Sequence, residues 1–212
     1  MKTNDLITAL SADAPEQQMP PRRAFLIAIV LAAAIAAAIW IGRLGLHHDF
    51  LQSWLTPRFA FKVFVTAVLA VTAVFAARDM ARPEVEHSRL RLLLWSAPLL
   101  LVCAVIAELI ALPQSLWMVR LVGHNARFCM TMIPLMSLGP LVLMLWAFRR
   151  GAPANPARAG ALAGLVAAGI ASVFYAMHCP DDSPLFVATW YTLAIGFITG
   201  VGALLGSRLL RW

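Results

Sequence analysis

Long apolar blocks separated by short polar stretches run through the whole chain. Six blocks are long enough to cross a bilayer, since a spanning helix needs about 20 mainly apolar residues. They cover Ala24–Ile41, Phe59–Ala77, Leu92–Leu112, Phe128–Phe148, Ala159–Met177 and Leu185–Gly206. Barrel strands would alternate apolar and polar residues over about ten positions, and these blocks do not. The pattern predicts an all-α polytopic membrane protein, a bundle of six transmembrane helices in one domain, 24–212, behind a polar tail, 1–23.

The charged residues lie in the connections between the blocks. The chain is 61% hydrophobic and 13% charged, with a formal charge of +7. Most of the basic residues fall on one side of the predicted membrane: Lys2, Arg22, Arg23, Arg78, Arg82, Arg89, Arg91, Arg149, Arg150, Arg158, Arg208 and Arg211. The other side has Arg43, Arg58, Lys62, Arg120 and Arg127. Because basic loops stay inside, we expect both termini in the cytoplasm. The positive charge is then a topology signal, and no direct nucleic-acid partner is expected.

The polar tail contains a short amphipathic stretch from Thr3 to Leu10. Thr3 suits a helix N-cap and Asp5 suits the first turn. Leu6 and Leu10 share one face, with Ile7 beside them. A helix this short is not stable alone, so it would fold on a partner or lie on the membrane. A disordered tail with leucines at chance positions explains the pattern equally well.

Small residues recur every four positions in the fifth block, and glycines recur in the sixth. The positions are Gly160, Gly164, Ala168, Ser172 and Ala176, then Gly196, Gly200, Gly202 and Gly206. Such stripes let helix backbones approach closely. We predict that spans five and six pack together, because their connection is short; a homo-oligomer face is the rival interpretation. Pro98, Pro134 and Pro140 are expected to kink spans three and four or to bend them locally.

Two charged residues fall within predicted spans, Lys62 near one end of span two and Glu108 near the end of span three. Both lie near the outer interface, where long side chains can reach water. A Lys62–Glu108 contact is geometrically plausible, but we favour two independent interfacial residues. Neither residue lies at mid-membrane, which weakens the interpretation of the protein as a proton relay or a transporter.

The cysteines offer the clearest candidate chemistry. Counting spans places Cys129 and Cys179 at the same outer face, with His124 and His178 near them in sequence, and Cys103 inside span three. Thiolate and imidazole together are ligands for zinc or copper. The pair could form a structural disulfide, act as a regulated metal-binding or redox thiol pair, or be unconnected. No CxxC is present, and spacing does not choose among the three.

No nucleophile elbow, HExxH or glycine-rich phosphate loop is present in the sequence, which makes an enzyme an unfavoured interpretation. A small metal-handling transporter or permease and a membrane thiol oxidoreductase are the alternatives to a regulatory protein. A transporter should carry polar residues or broken helices near mid-membrane, and few such polar residues are found.

Three parts of the sequence resemble the NrsF family of membrane anti-sigma factors. They are the opening from Met1 to Leu10; Cys129 followed by Ile133-Pro134 and Leu138-Gly139-Pro140; and the run from His178 to Pro184 followed by Trp190-Tyr191. The resemblance covers the whole chain, including the number of spans.

The resemblance implies a six-span protein of the bacterial inner membrane that holds an extracytoplasmic-function (ECF) sigma factor of the sigma-F type inactive. It implies release on periplasmic stress, typically from heavy metals, with Cys129 and Cys179 as the responding residues and no equivalent role for Cys103. No cofactor is required, and a soft or heavy metal ion is the candidate signal. We assign Asp5, Leu6, Ile7 and Leu10 to sigma-factor binding, and Cys129, Cys179, His178 and His124 to the sensor.

Overall fold

The structure, a computed structural model, describes residues 3, 5, 19–45, 53–80, 89–151 and 153–211. All regular structure in these residues is helical. Six helical segments are long enough and apolar enough to cross a membrane, as the hydrophobic pattern predicts. The side of the membrane on which each end lies stays a prediction.

We number the main helix of each segment in chain order. They are α1 (Pro21–Ile39), α2 (Pro57–Met80), α3 (Ser96–Ala111), α4 (Ala126–Arg149), α5 (Pro156–Ala176) and α6 (Thr192–Leu209). A π-helical turn, Trp40–Leu44, extends α1, and another, Val187–Tyr191, precedes α6. Helix α1 begins at Pro21, so Arg22 and Arg23 belong to it. Proline at the first helical position needs no donor and fixes φ for the helix start.

The connection between α3 and α4 differs from the loop expected over Pro113–Arg127. It contains a short helix, Trp117–Val122, that ends at Gly123 with φ +58°. A Cβ at Gly123 would lie 2.6 Å from a ring carbon of Phe186. Glycine is required there both for the positive φ and for this close approach.

The three prolines act differently from one another. Pro98 lies in the first turn of α3, directly after a 3₁₀ segment from Arg89 to Trp95. As a first-turn residue Pro98 has no intrahelical donor bond to lose, and a kink or local bend of span three at Pro98 stays a prediction. Pro134 and Pro140 lie within α4, which continues through both.

The fifth helix is the centre of the bundle, and packs against α2, α4 and α6. Its partner α6 approaches closely: a Cβ on Gly160 would lie 2.2 Å from the carbonyl oxygen of Gly202, and one on Gly164 would lie 2.5 Å from that of Ile198. The predicted packing of spans five and six is confirmed. Gly196 and Gly200 have open space beside them, so only part of the α6 glycine pattern makes this contact.

The third helix is the most loosely held of the six. Much of its surface is exposed, including Leu99, Val102, Ile106 and Ile110. An apolar cavity of about 540 Å³ lies between α3 and the helices α2 and α6. Helix α3 buries Ala97 in its first turn and Glu108 near its end.

Candidate functional site

Alternating helix directions bring the two outer cysteines to one end of the bundle. This cysteine end contains the ends of α1, α3 and α5 and the beginnings of α2 and α4, together with the turn that leads into α6. Cys129 lies in the first turns of α4, and Cys179 lies in the 177–183 loop after α5. The predicted common placement of the two cysteines is confirmed.

Both thiols are buried and neither forms a disulfide. They lie close enough together to interact electrostatically. Cys103, by contrast, is exposed on the surface of α3. The structure thus separates one buried thiol pair from a third thiol that faces outward from the bundle.

Two buried tyrosines belong to the same group as the thiols. The rings of Tyr175 and Tyr191 have centroids 5.7 Å apart, and both hydroxyls interact electrostatically with Cys129 and Cys179. Within the described part of the chain neither hydroxyl has a hydrogen bond of good geometry, but each lies near enough to the Cys179 thiol to interact with it. The two thiols and the two hydroxyls therefore form one buried polar cluster, and weak interactions with each other offset part of the cost of their burial.

Lys62 holds the 177–183 loop against α2. Its side chain is fully buried, and its Nζ donates to the carbonyl oxygen of Cys179 at 2.5 Å and to Asp182 Oδ1 at 2.5 Å. A third, longer contact reaches the Asp181 carbonyl oxygen at 3.4 Å. The amine is thereby paired and hydrogen-bonded, which a buried charge requires. The expectation of a water-reaching interfacial lysine is wrong.

Glu108 forms a second anchor from α3. Its Oε2 accepts from Ser183 Oγ at 2.7 Å and from the backbone N–H of Leu185 at 3.1 Å. Its Oε1 lies 3.5 Å from Arg58 Nη2. The considered Lys62–Glu108 contact is wrong, because each side chain is occupied by the loop. An interfacial, water-reaching Glu108 is also excluded by its burial.

Asp181 forms the third anchor, to the beginning of α4. Its carboxylate accepts from the backbone N–H of Asn125 at 2.9 Å and from that of His124 at 3.1 Å. Those donors precede the first turn of α4, where backbone N–H groups lack intrahelical partners. One short loop therefore binds α2, α3 and α4 while carrying Cys179.

The two candidate histidines are engaged elsewhere. The His124 side chain is 91% exposed, with Nδ1 3.6 Å from Asp181 Oδ1. The His178 ring packs on Phe128 and Tyr175, and its Nδ1 lies 3.4 Å from the Gly45 carbonyl oxygen. Among the described residues, no three His, Cys, Asp or Glu side chains lie close enough to hold a metal ion. A ligand role for either histidine requires its ring to leave these contacts, and it stays a prediction.

Burial and a nearby cation act in opposite directions on Cys179. Burial raises the pKa of the Cys179 thiol, and the Lys62 ammonium opposes that rise. The burial effect is larger, so the thiol is held protonated. Metal binding or oxidation, which needs the thiolate, must therefore displace this proton.

The sigma-factor-binding residues assigned in the tail are only partly described. Thr3 and Asp5 are helical and exposed, and the short helix expected from Thr3 to Leu10 stays a prediction. Leu6, Ile7 and Leu10 lie outside the described residues.

The sequence did not lead us to predict that Lys62, Glu108 and Asp181 hold the 177–183 loop in place. Asp181, Asp182 and Ser183 adjoin Cys179, and two charged residues occur within otherwise apolar spans. An acidic loop together with a lysine inside a span could have predicted the contact between them, because a charge within a span is usually paired.

Comparison with known proteins places these features in a family. The NrsF family, described as "Negative regulator of sigma F", matches residues 10–212. The anti-sigma-F factor NrsF of Caulobacter vibrioides is 34% identical, and a probable anti-sigma-F factor NrsF of Azospira oryzae is 32% identical; each alignment covers 100% of both chains. No solved structure matches the chain.

Proposed function

The chain belongs to the NrsF family of negative regulators of sigma F, and from that premise we propose that it is a membrane anti-sigma factor. It holds an ECF sigma factor of the sigma-F type at the bacterial inner membrane. It releases that factor when Cys129 and Cys179, on the periplasmic side, meet a soft metal ion or an oxidant. The observation that carries this proposal is the buried thiol pair under the anchored 177–183 loop.

The thiol pair is suited to react as a unit. A soft cation bound by both sulfurs displaces two thiol protons. A two-electron oxidant instead takes two electrons as the S–S bond forms, and both thiol protons are released. Either product differs from the reduced pair in charge and geometry.

Reaction at Cys179 disturbs the anchors of the 177–183 loop. The Cys179 carbonyl oxygen accepts from Lys62. Further along the loop, Asp181 contacts the beginning of α4, Asp182 contacts α2 and Ser183 contacts α3. A moved sulfur therefore strains contacts to three helices at once. Packed helices move as units rather than deform continuously, which gives a physical route to the opposite end of the bundle.

Sigma-factor binding is assigned to the cytoplasmic tail. Leu6, Ile7 and Leu10 are suited as apolar anchors at helical spacing for a groove on the partner. Asp5 adds a negative charge in the first turn. The tail is joined directly to α1, so movement of α1 reaches it without another domain.

Family membership decides between the function classes considered from sequence. Relatives over the full chain are named anti-sigma factors, which is a regulatory, non-enzymatic role. The transporter and thiol oxidoreductase alternatives have no comparable support.

Co-purification from detergent tests the proposal. The full-length protein should retain the sigma-F-type factor encoded by the same genome, and Cd²⁺ as a soft cation should release it. Cys129→Ser and Cys179→Ser should retain the factor with Cd²⁺ present, while Cys103→Ser should behave as the parent. Failure of the reduced parent to bind any sigma factor would refute the anti-sigma assignment. Release by Cd²⁺ from both serine variants would refute the sensor assignment alone.

A further inference from the structure

A groove at the other end of the bundle is not used by the proposed function. It lies between the first turns of α1 and the last turns of α2, and has a volume of about 440 Å³. Phe25, Leu26, Ile29, Val74 and Phe75 line its apolar part. From Arg22 to Ile29 the groove follows α1 for about 10 Å, at 1.5 Å per residue.

Two arginines stand at the mouth of this groove. Arg22 and Arg78 both line it, both are exposed, and neither forms an ion pair within the described part of the chain. No acidic side chain is among the described lining residues. The mouth is therefore positively charged and the depth of the groove is apolar.

The start of α1 adds to this positive field. The N-terminal end of a helix carries a partial positive charge that favours acidic side chains or bound anions. The first turn of α1 contains no acidic residue, and instead holds Arg22 and Arg23. Two arginines at this position are electrostatically unfavourable unless an anion lies nearby.

We propose that the α1–α2 groove binds an anionic phospholipid of the surrounding bilayer. Arg22 and Arg78 hold its phosphate, and an acyl chain lies along Leu26, Ile29 and Phe75. Basic sites between helices are suited to anionic headgroups. Exposed Leu26 and Phe75, at 53% and 43%, open the groove toward the acyl region of the membrane.

The shape and charge of the groove favour a lipid over other occupants. A small soluble anion would use the arginines but leave the apolar depth without a partner. A peptide segment lying in the groove would place backbone N–H and C=O groups at membrane depth without hydrogen bonds. A phospholipid matches both parts and has no backbone groups to satisfy.

Native mass spectrometry of the full-length protein, offered equal phosphatidylglycerol and phosphatidylcholine, tests the site. The parent should retain one phosphatidylglycerol in preference to phosphatidylcholine. Arg22→Gln with Arg78→Gln should lower that preference roughly 30-fold, from about 1 kcal/mol per arginine at about 1.4 kcal/mol per tenfold. Arg158→Gln with Arg208→Gln, two exposed arginines at the same end outside the groove, is the matched control and should keep it.

Two further variants test the apolar part of the groove independently of its positive charge. Ile29→Trp keeps both arginines and fills the apolar depth, so it should also lose the preference. A photo-crosslinking p-benzoylphenylalanine in place of Phe75 should capture phospholipid. Equal retention of the two lipids by the parent, an equal loss in the control pair, an unchanged preference in Ile29→Trp, or capture of the chain's own tail or another protein would each overturn the proposal.

Discussion

Lys62 on α2 and Asp182 in the 177–183 loop form a close ion pair across 120 residues of chain, with Nζ and Oδ1 2.5 Å apart. The lysine is fully buried, whereas the Asp182 side chain is 25% exposed. The same ammonium also donates to the Cys179 carbonyl oxygen. A buried cation thus positions the loop that carries one of the two candidate sensor thiols.

Replacing Lys62 with methionine should loosen this loop. Lys62→Met removes the donor and leaves the Cys179 carbonyl oxygen and Asp182 without their partner, at a cost of about 1–3 kcal/mol. We expect Cys179 to react with a water-soluble maleimide roughly fivefold to a hundredfold faster. Arg127→Met removes an exposed basic residue at the same end and should leave the rate near that of the parent. An unchanged rate in Lys62→Met would show that the loop is held by its other anchors.

Serine at either buried cysteine should change signalling without removing the protein. Cys129→Ser and Cys179→Ser each leave one thiol, which cannot complete a two-sulfur site or a disulfide. A reporter of the target promoter should lose its response to Cd²⁺, while Cys103→Ser should keep it. Membrane abundance, measured by immunoblot beside the reporter, distinguishes a sensor from a structural role. Abundant serine variants that respond like the parent would end the sensor hypothesis.

Metal affinity at the thiol pair should rise with pH. Burial raises the pKa of Cys179, so the reduced protein holds the proton that a bound cation must displace. The apparent affinity should increase about tenfold per pH unit for each displaced proton between pH 6 and 8. Titration of the full-length protein with Cd²⁺ in detergent measures this, with the Cys129→Ser variant as reference. An apparent Cd²⁺ affinity that does not change with pH would show that the thiols are not the ligands.

The raised pKa of Cys179 should make the folded protein less stable at high pH. The folded protein holds the Cys179 proton more tightly than the unfolded chain, so the contribution to stability is complete below the usual thiol pKa of about 8.5. It is lost as pH rises toward the raised pKa of the folded state. Thermal unfolding in detergent should therefore show a steeper fall above pH 8.5 for the parent than for Cys179→Ser.

The α5–α6 contact should tolerate no added methyl group at Gly160. Gly160→Ala would place a Cβ 2.2 Å from the Gly202 carbonyl oxygen, and overpacking of this kind costs about 1–3 kcal/mol. Gly200→Ala on α6 meets open space and is the matched control, expected to be neutral or slightly stabilising. Detergent thermal-shift curves compare the two. Equal unfolding temperatures would mean that the helices separate at little cost.

Charge placed on the apolar face of the tail should abolish sigma-factor binding. Leu6→Asp with Leu10→Asp should leave membrane insertion intact and make the target genes constitutively active. Asn4→Asp with Thr8→Asp adds the same charge at the same spacing on another face, and should preserve repression. Full repression in the leucine variant would move the binding surface elsewhere, with the connection from Arg78 to Arg91 as the next candidate.

The sequence by itself determined the number of spans, since an apolar stretch of about 20 residues has few stable alternatives in a bilayer. It also determined that Cys129 and Cys179 share one end, because that follows from counting crossings. The small residues of α5 at a spacing of four predicted the contact with α6 for the same local reason: a period of four returns to one helix face.

Only the tertiary structure decided what Lys62 and Glu108 bind. Both were visible as charges within apolar spans, but their partners lie in a loop 75 to 120 residues further along the chain. Periodicity describes one helix at a time, and it carries no information about which distant loop folds over its end. The same limit explains why Gly160 contacts Gly202 and Gly206 while Gly196 and Gly200 face open space: the rotation of α6 against α5 is set by packing among all the helices.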